Sequence, residues 1–221
     1  MRHVIWDMGG TLIDTYPDVN DTLTRAVGGD AETAREVAKL TQVSIAHAMT
    51  TLAKRTGVDR SALEAAYRQL KQRWHTHPAP VMTGARALIA AVRQAGYHNI
   101  VVTHRDRASA TTLLRAHRLD IDAMICASDG YPRKPDPAMF ILALHHCEIP
   151  AAATVAIGDR PIDISAARAA GIDNFFLCGT HANARLVTKE LTTPAPNGAR
   201  TYQVSELAAV LRALRTAPFA F

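Results

Sequence analysis

What this chain lacks narrows its identity quickly. It holds no run of about eighteen apolar residues, the length a helix needs to cross a bilayer, so no membrane is expected among its partners. The opening stretch MRHVIWD is too short and too polar, ahead of a strand, to serve as a secretory signal. Cysteines number only three, Cys126, Cys147 and Cys178, with no CxxC pair and no metal-ligand spacing. We therefore expect buried, reduced thiols in a cytoplasmic protein. Basic residues exceed acidic ones for a net charge of +5, yet no aromatic-interleaved basic patch, helix-turn-helix or finger pattern accompanies the excess. The arginines (Arg25, Arg35, Arg55, Arg60, Arg68, Arg73) are spread at helical spacing instead. A solvated basic surface that favours anionic substrates is expected, and nucleic acid is not. Internal repeats and low-complexity tracts are also missing.

What remains is a chain of 221 residues with 48% apolar content, enough for one good-sized domain or a domain with an insertion. Residues 2–6, RHVIW, read as a short buried strand. From Pro17 to about His77 the sequence turns Ala-rich and helix-periodic, punctuated by Gly28-Gly29 and Gly57, with Asp59 or Ser61 placed to cap its last helix. This predicts three or four helices without a strand. The prolines of HPAPVMTGA then mark a boundary. Beyond it, helices and strands alternate: ARALIAAVRQAG, HNIVVTH, SATTLLRAHRL, AMICAS, DPAMFILALHHCEI, ATVAIGD, DISAARAAG, DNFFLCG, a weaker RTYQV and SELAAVLRALRT. TTPAPNGA at 192–199 reads as a surface loop. Such alternation predicts an α/β fold with a parallel sheet covered by helices on both faces. Residues 1–14 and 80–221 are expected to form that core, and residues 15–79 an inserted all-helical domain.

In an open parallel sheet, ligands bind beyond the carboxyl ends of the strands. Asp7 follows the first strand, Thr103 the second long one, and Asp159 with Asp163 a later one, while Lys134 sits in the rigid loop YPRKPDP. Each alone reads as a helix cap or a surface charge. Together, in this order, they have the parts for phosphoryl transfer. Asp7 is the candidate carboxylate nucleophile, which would form an aspartyl-phosphate. Asp159 and Asp163 beside it suit a hard cation such as Mg2+. Gly9 and Gly10 let the backbone approach metal and phosphate closely. Thr103 offers a hydroxyl to the phosphoryl group, and Lys134 a fixed positive charge.

These stretches resemble the haloacid dehalogenase-like superfamily, in its branch with a helical cap inserted between the first and second motifs. WDMGGTLIDT is similar to its first motif, VVTH to its second, RKPDP to its third and IGDRPIDISAARAAG to its fourth. The resemblance spans almost the whole chain. It implies a Rossmann-like core with a cap, a phosphatase, and Mg2+ as cofactor. Asp7 is then the nucleophile, Thr103 and Lys134 bind phosphate, and Asp7, Asp159, Asp163 and the Gly9 carbonyl hold the metal. Gly10, Thr11, His104 and Arg105 are expected to contact substrate, a small phosphorylated metabolite. A monomer or weak homodimer is expected.

Phosphatases of this superfamily usually carry aspartate at the position of Gly9. That side chain protonates the leaving oxygen and then activates water, help worth ~10²–10⁴-fold. Dehalogenase members carry tyrosine there and use no metal; phosphonate-cleaving members carry alanine and use a cap lysine as Schiff-base amine. Lys39, Lys54 and Lys71 are the cap lysines here, on amphipathic helices that read as surface. His104 is a candidate replacement base, with a titration range suited to neutral pH. Asp106 reads as the cap of the helix beginning near Ser109, Asp14 as a turn residue, and His47, His75 and His77 as cap or hinge surface. The leading expectation is a Mg2+-dependent phosphomonoester hydrolase favouring substrates with good leaving groups. The alternatives are a catalytically impaired phospho-ligand binding or regulatory protein, and a phosphonate-cleaving hydrolase.

Overall fold

Val4, Ile5 and Trp6 are fully buried, and they form the middle of a computed structural model described over residues 1–178 and 193–216. Strand β1 (His3–Trp6) pairs in parallel with β2 (Asn99–Thr103) on one side and β4 (Thr154–Gly158) on the other. Outward from these run β3 (Ala123–Cys126), β5 (Asp173–Leu177) and β6 (Thr201–Val204), all parallel. The order is β3-β2-β1-β4-β5-β6, so the direction of winding reverses between β1 and β4. This is the switch point at which adjacent strand ends diverge and open a crevice.

The residues explain the layers. Strand β2 reads NIVVT and is buried throughout, as expected of a strand covered on both faces. Ile5, Ile100, Val102 and Ala156 meet Met139, Phe140 and Ala143 of α7 (Ala138–His146) and Ala166 and Ala167 of α8 (Pro161–Ala169). Alternate residues point the other way. There Trp6 Nε1 donates to Asn99 Oδ1 at 3.1 Å, and Asn99 Nδ2 donates to the Ile89 carbonyl of α5 (Ala85–Gln94) at 3.1 Å. Helix α6 (Arg107–Ala116) follows β2, and α9 (Leu207–Leu214), the last described helix, packs on α5.

The chain divides into two compact units, Met1–Ile13 with Val81–Phe221 and Asp14–Pro80. The second holds α1 (Tyr16–Ala26), α2 (Ala31–Val43), α3 (Ile45–Thr56) and α4 (Arg60–Arg73), and no described strand. Its divisions follow local chemistry. Asp30 and Ser44 cap α2 and α3, Asp59 accepts from the Ser61 N–H to cap α4, and Gly57 ends α3 at φ 75°. Inside it, buried Trp74 donates to Asp18 Oδ2 at 2.6 Å.

Several details differ from the sequence reading. The strand expected over AMICAS ends at Cys126, because residues 127–129 turn into a 3-10 helix whose Asp129 carboxylate accepts the Cys126 N–H. Of the three free cysteines only Cys126 is buried; Cys147 and Cys178 are half-buried. The described part of the expected surface loop, 193–199, does lie at the surface apart from buried Ala199, and Asn197 Nδ2 donates to the Arg168 carbonyl of α8. Gly179 and Thr192, which end one expected strand and begin the expected loop, lie outside the described residues.

Asn99 is the polar pin of the α5 face. Asn99→Leu leaves the Trp6 indole N–H and the Ile89 carbonyl without their partner, and burying such groups unpaired costs about 1–3 kcal/mol. Urea unfolding should show a lower midpoint with an unchanged slope. An unchanged midpoint would contradict this account of the packing.

Candidate active site

Asp7 is the first residue after β1, and its N–H donates to the Ile157 carbonyl of β4 at 2.8 Å. The carboxylate is therefore fixed at the switch point. The chain then turns sharply: Gly10 adopts φ 85°, and the Leu12 and Ile13 amides return to the Met8 carbonyl. Glycine fits this left-handed position without the cost a Cβ would bring.

From β4, Gly158 leads into Asp159, Arg160 caps α8, and Pro161 occupies its first turn. Asp163 reaches back to accept the Arg160 N–H at 3.1 Å. This tight strand-to-helix turn brings Asp159 and Asp163 to one mouth. It also needs Gly158, since a Cβ there would lie 2.4 Å from Asp163 Cβ. Thr11 donates to Asp159 Oδ1 at 3.0 Å.

Lys134 lies in a loop whose neighbours Arg133, Pro135 and Asp136 are exposed, yet it is itself buried. Its Nζ stands 2.5 Å from Asp7 Oδ1, 2.5 Å from Asp163 Oδ1 and 3.1 Å from the Val102 carbonyl. Arg160 adds a second cation, with Nη2 3.7 Å from Asp7 Oδ1 and Nε 3.6 Å from Asp163 Oδ2. Thr103, buried at the end of β2, accepts the Arg105 N–H at 3.1 Å.

The protonation pattern follows from burial and charge. Burial and the Asp163 carboxylate push Asp7 above its usual range, against the pull of Lys134 and Arg160. Asp163 lies below its usual range: burial opposes this, and Lys134 and Arg160 outweigh it. Burial alone would lower Lys134, but Asp163 and Asp7 hold its ammonium above the ordinary lysine range, so it remains charged.

Asp7, Asp159 and Asp163 are all buried and place one carboxylate oxygen each within 4.8 Å of one another. Among the described residues, three carboxylates face two cations, Lys134 and Arg160. Asp7 Oδ2 is buried with no hydrogen-bond partner among the described residues. An orphaned carboxylate oxygen in an all-oxygen, over-acidic cluster suits a hard divalent cation such as Mg2+. The donor set fits that ion.

Most residues singled out from sequence converge here: Lys134 contacts Asp7 and Asp163, Thr11 contacts Asp159, the three carboxylates cluster within 4.8 Å, and Thr103 ends the strand beside β1. Others do different things. Arg105 Nη1 donates to Ser109 of α6 at 3.1 Å, and Asp106 caps that helix through the Ser109 N–H. His47, His75, His77, Lys39 and Lys54 are exposed, and Lys71 lies over the Tyr67 ring at 5.4 Å. His104 corrects the reading of a base that titrates near neutrality. It is half-buried, its Nε2 has no hydrogen-bond partner among the described residues, and burial together with Lys134 and Arg160 lowers its pKa to about 3. Arg160 went unassigned in the sequence, although its place between the two aspartates of GDRPID was a usable signal.

The geometry agrees with what the chain resembles. The haloacid dehalogenase-like hydrolase family profile matches residues 4–177. A phosphoglycolate phosphatase of Cupriavidus necator is 30% identical over 182 residues, covering 76% of this chain and 77% of that protein. An N-acetylmuramic acid 6-phosphate phosphatase of Pseudomonas aeruginosa is 28% identical, covering 77% and 79%. The crystal structure of CbbY from Rhodobacter sphaeroides in complex with phosphate shares the fold at a TM-score of 0.72, with 19% identity and coverage of 98% and 100%. The chain belongs to the haloacid dehalogenase-like hydrolases. Within them it groups with phosphatases.

Because His104 is neutral when folded, the unfolded chain binds the extra proton between about pH 6.5 and about 3. Its contribution is fully present above 6.5 and is lost as pH falls through that window. In metal-free buffer His104→Gln should show a shallower loss of stability over that range than the parent. Identical slopes in urea titrations across pH would refute the assignment.

Proposed function

We propose that the protein is a Mg2+-dependent phosphatase that transfers the phosphoryl group of a small phosphorylated metabolite to Asp7. The observation that carries this reading is Asp7 itself: buried at the switch point, one oxygen on Lys134 and the other unpartnered. In the first half-reaction an Asp7 oxygen attacks phosphorus as the bond to the leaving oxygen breaks. Lys134 fixes the carboxylate and supplies permanent positive charge where negative charge gathers. Thr103 offers its hydroxyl to a phosphoryl oxygen, and Gly10 and Thr11 shape the loop that receives it. Asp7, Asp159, Asp163 and the Gly9 carbonyl would hold the Mg2+, which when bound neutralises phosphoryl charge. In the second half-reaction water attacks the aspartyl-phosphate and Asp7 is released.

Gly9 has no carboxylate to protonate the leaving oxygen or to activate the water. Dephosphorylation of Asp7 is therefore the slow step. The same glycine supports the competing reading, a protein that binds a phospho-ligand without turning it over. Against it stands the complete set Asp7, Lys134, Asp159 and Asp163, since a binder needs no nucleophile.

With p-nitrophenyl phosphate and Mg2+, rapid mixing should give a burst of nitrophenol followed by slow turnover. Gly9→Asp should accelerate the slow phase by ~10²–10⁴-fold. Asp7→Asn should lower turnover by ~10⁴-fold or more while keeping the fold. Undiminished turnover in Asp7→Asn would end the nucleophile assignment, and no burst in any variant would favour the binding role.

A further inference from the structure

We infer that Arg160 stabilises the departing group, and that the site prefers substrates whose leaving group departs as a stable oxyanion, a carboxylate or a phosphate. This inference rests on the phosphatase reading above and narrows its substrate class.

Few described groups around Asp7 could give a proton to a leaving oxygen. Position 9 has no side chain beyond hydrogen. Lys134 Nζ is engaged by Asp7, Asp163 and the Val102 carbonyl, and its role there depends on keeping its proton. Asp159 and Asp163 are placed as acceptors, one from Thr11 and the other from the Arg160 N–H. Among the described residues of the same unit, the group left beside the nucleophile is the Arg160 guanidinium, 3.7 Å from Asp7 Oδ1 and with only 13% of its side chain exposed. A guanidinium does not give up a proton in proteins. It stabilises an anion without protonating it, and its fork of N–H donors matches the paired oxygens of a carboxylate or phosphate.

The leaving group must accordingly accept the electron pair of the broken bond unaided. For an alkyl phosphate that produces an alkoxide, which is unfavourable without an acid. For an acyl phosphate or a phosphoanhydride it produces a carboxylate or a phosphate, which needs no proton. The steps balance. An Asp7 oxygen forms a bond to phosphorus, the bond to the leaving oxygen breaks, and the leaving group departs with the electron pair against Arg160. Water then attacks the aspartyl-phosphate, inorganic phosphate keeps both of its protons, and the Asp7 carboxylate is regenerated.

Position 160 is set by local structure rather than by chance rotamers. Its backbone caps α8 through Asp163, and Pro161 fixes the turn that follows. That anchoring presents the side chain to the crevice from the same turn that carries Asp159.

The test compares acetyl phosphate, inorganic pyrophosphate and glycerol 1-phosphate, each with Mg2+, in the parent protein and in Arg160→Gln and Arg160→Lys. The parent should turn over acetyl phosphate or pyrophosphate with a kcat/KM ~100-fold or more above glycerol 1-phosphate, the scale of a missing general acid. Whichever of the two is faster identifies the leaving group as carboxylate or phosphate. Arg160→Gln should lower kcat/KM on that substrate by ~10²–10³-fold, with a smaller effect on glycerol 1-phosphate, and Arg160→Lys should recover part of the loss. Equal rates on all three substrates in the parent protein would overturn the inference without needing any variant. So would an equal loss on all three in Arg160→Gln. No hydrolysis of any of them by the parent would instead overturn the phosphatase reading itself.

Discussion

The contact on which the site depends is the buried ammonium of Lys134 held between the carboxylates of Asp7 and Asp163. Taking three such charges out of water costs several kcal/mol each, and attraction repays the cost only when the geometry is tight. Here Nζ reaches both carboxylates at 2.5 Å and adds the Val102 carbonyl. That single ion draws together the end of β1, the end of β2 and the start of α8. Removing it would leave Asp7, Asp159 and Asp163 facing one another with Arg160 as the other cation beside them among the described residues.

The sheet makes this contact possible. Its winding reverses between β1 and β4, so the two strands that end in Asp7 and Asp159 are neighbours whose following chains diverge. The crevice between them needs close backbone approach, which Gly158 provides by leaving room for Asp163. The proposed function follows from the same constraint: a candidate nucleophile, a candidate cation site and a buried ammonium share one small volume. In the proposed mechanism glycine at position 9 offers neither acid nor base, and Arg160 brings charge without a transferable proton.

Much of this was legible in the sequence because strand ends in a parallel sheet are marked by simple patterns. Apolar runs that stop at Asp7, Thr103 and Asp159 marked three of the candidate site residues, and Asp163 was marked by the IGDRPID stretch after the last of those strands. Lys134 was read from its motif; its burial beneath an exposed loop is a tertiary fact that no local pattern encodes. The same holds for His104, whose suppressed protonation comes from Lys134 and Arg160, residues distant in sequence. Arg160 escaped notice because an arginine at a helix N-terminus reads as surface until the neighbouring strand is in place. The early end of β3 at Cys126 likewise depends on the Asp129 carboxylate folding back on its own turn.

The central claim is that Asp7 carries the phosphoryl group between two chemical steps. The direct measurement is to mix the protein with acetyl phosphate and Mg2+, quench in acid within the burst, reduce with borohydride and map the product by mass spectrometry. An acyl phosphate on Asp7 would be reduced at that residue alone, giving homoserine at position 7 in a share of the chains approaching one per site. Turnover without any modification at Asp7, or modification at another carboxylate, would contradict the account.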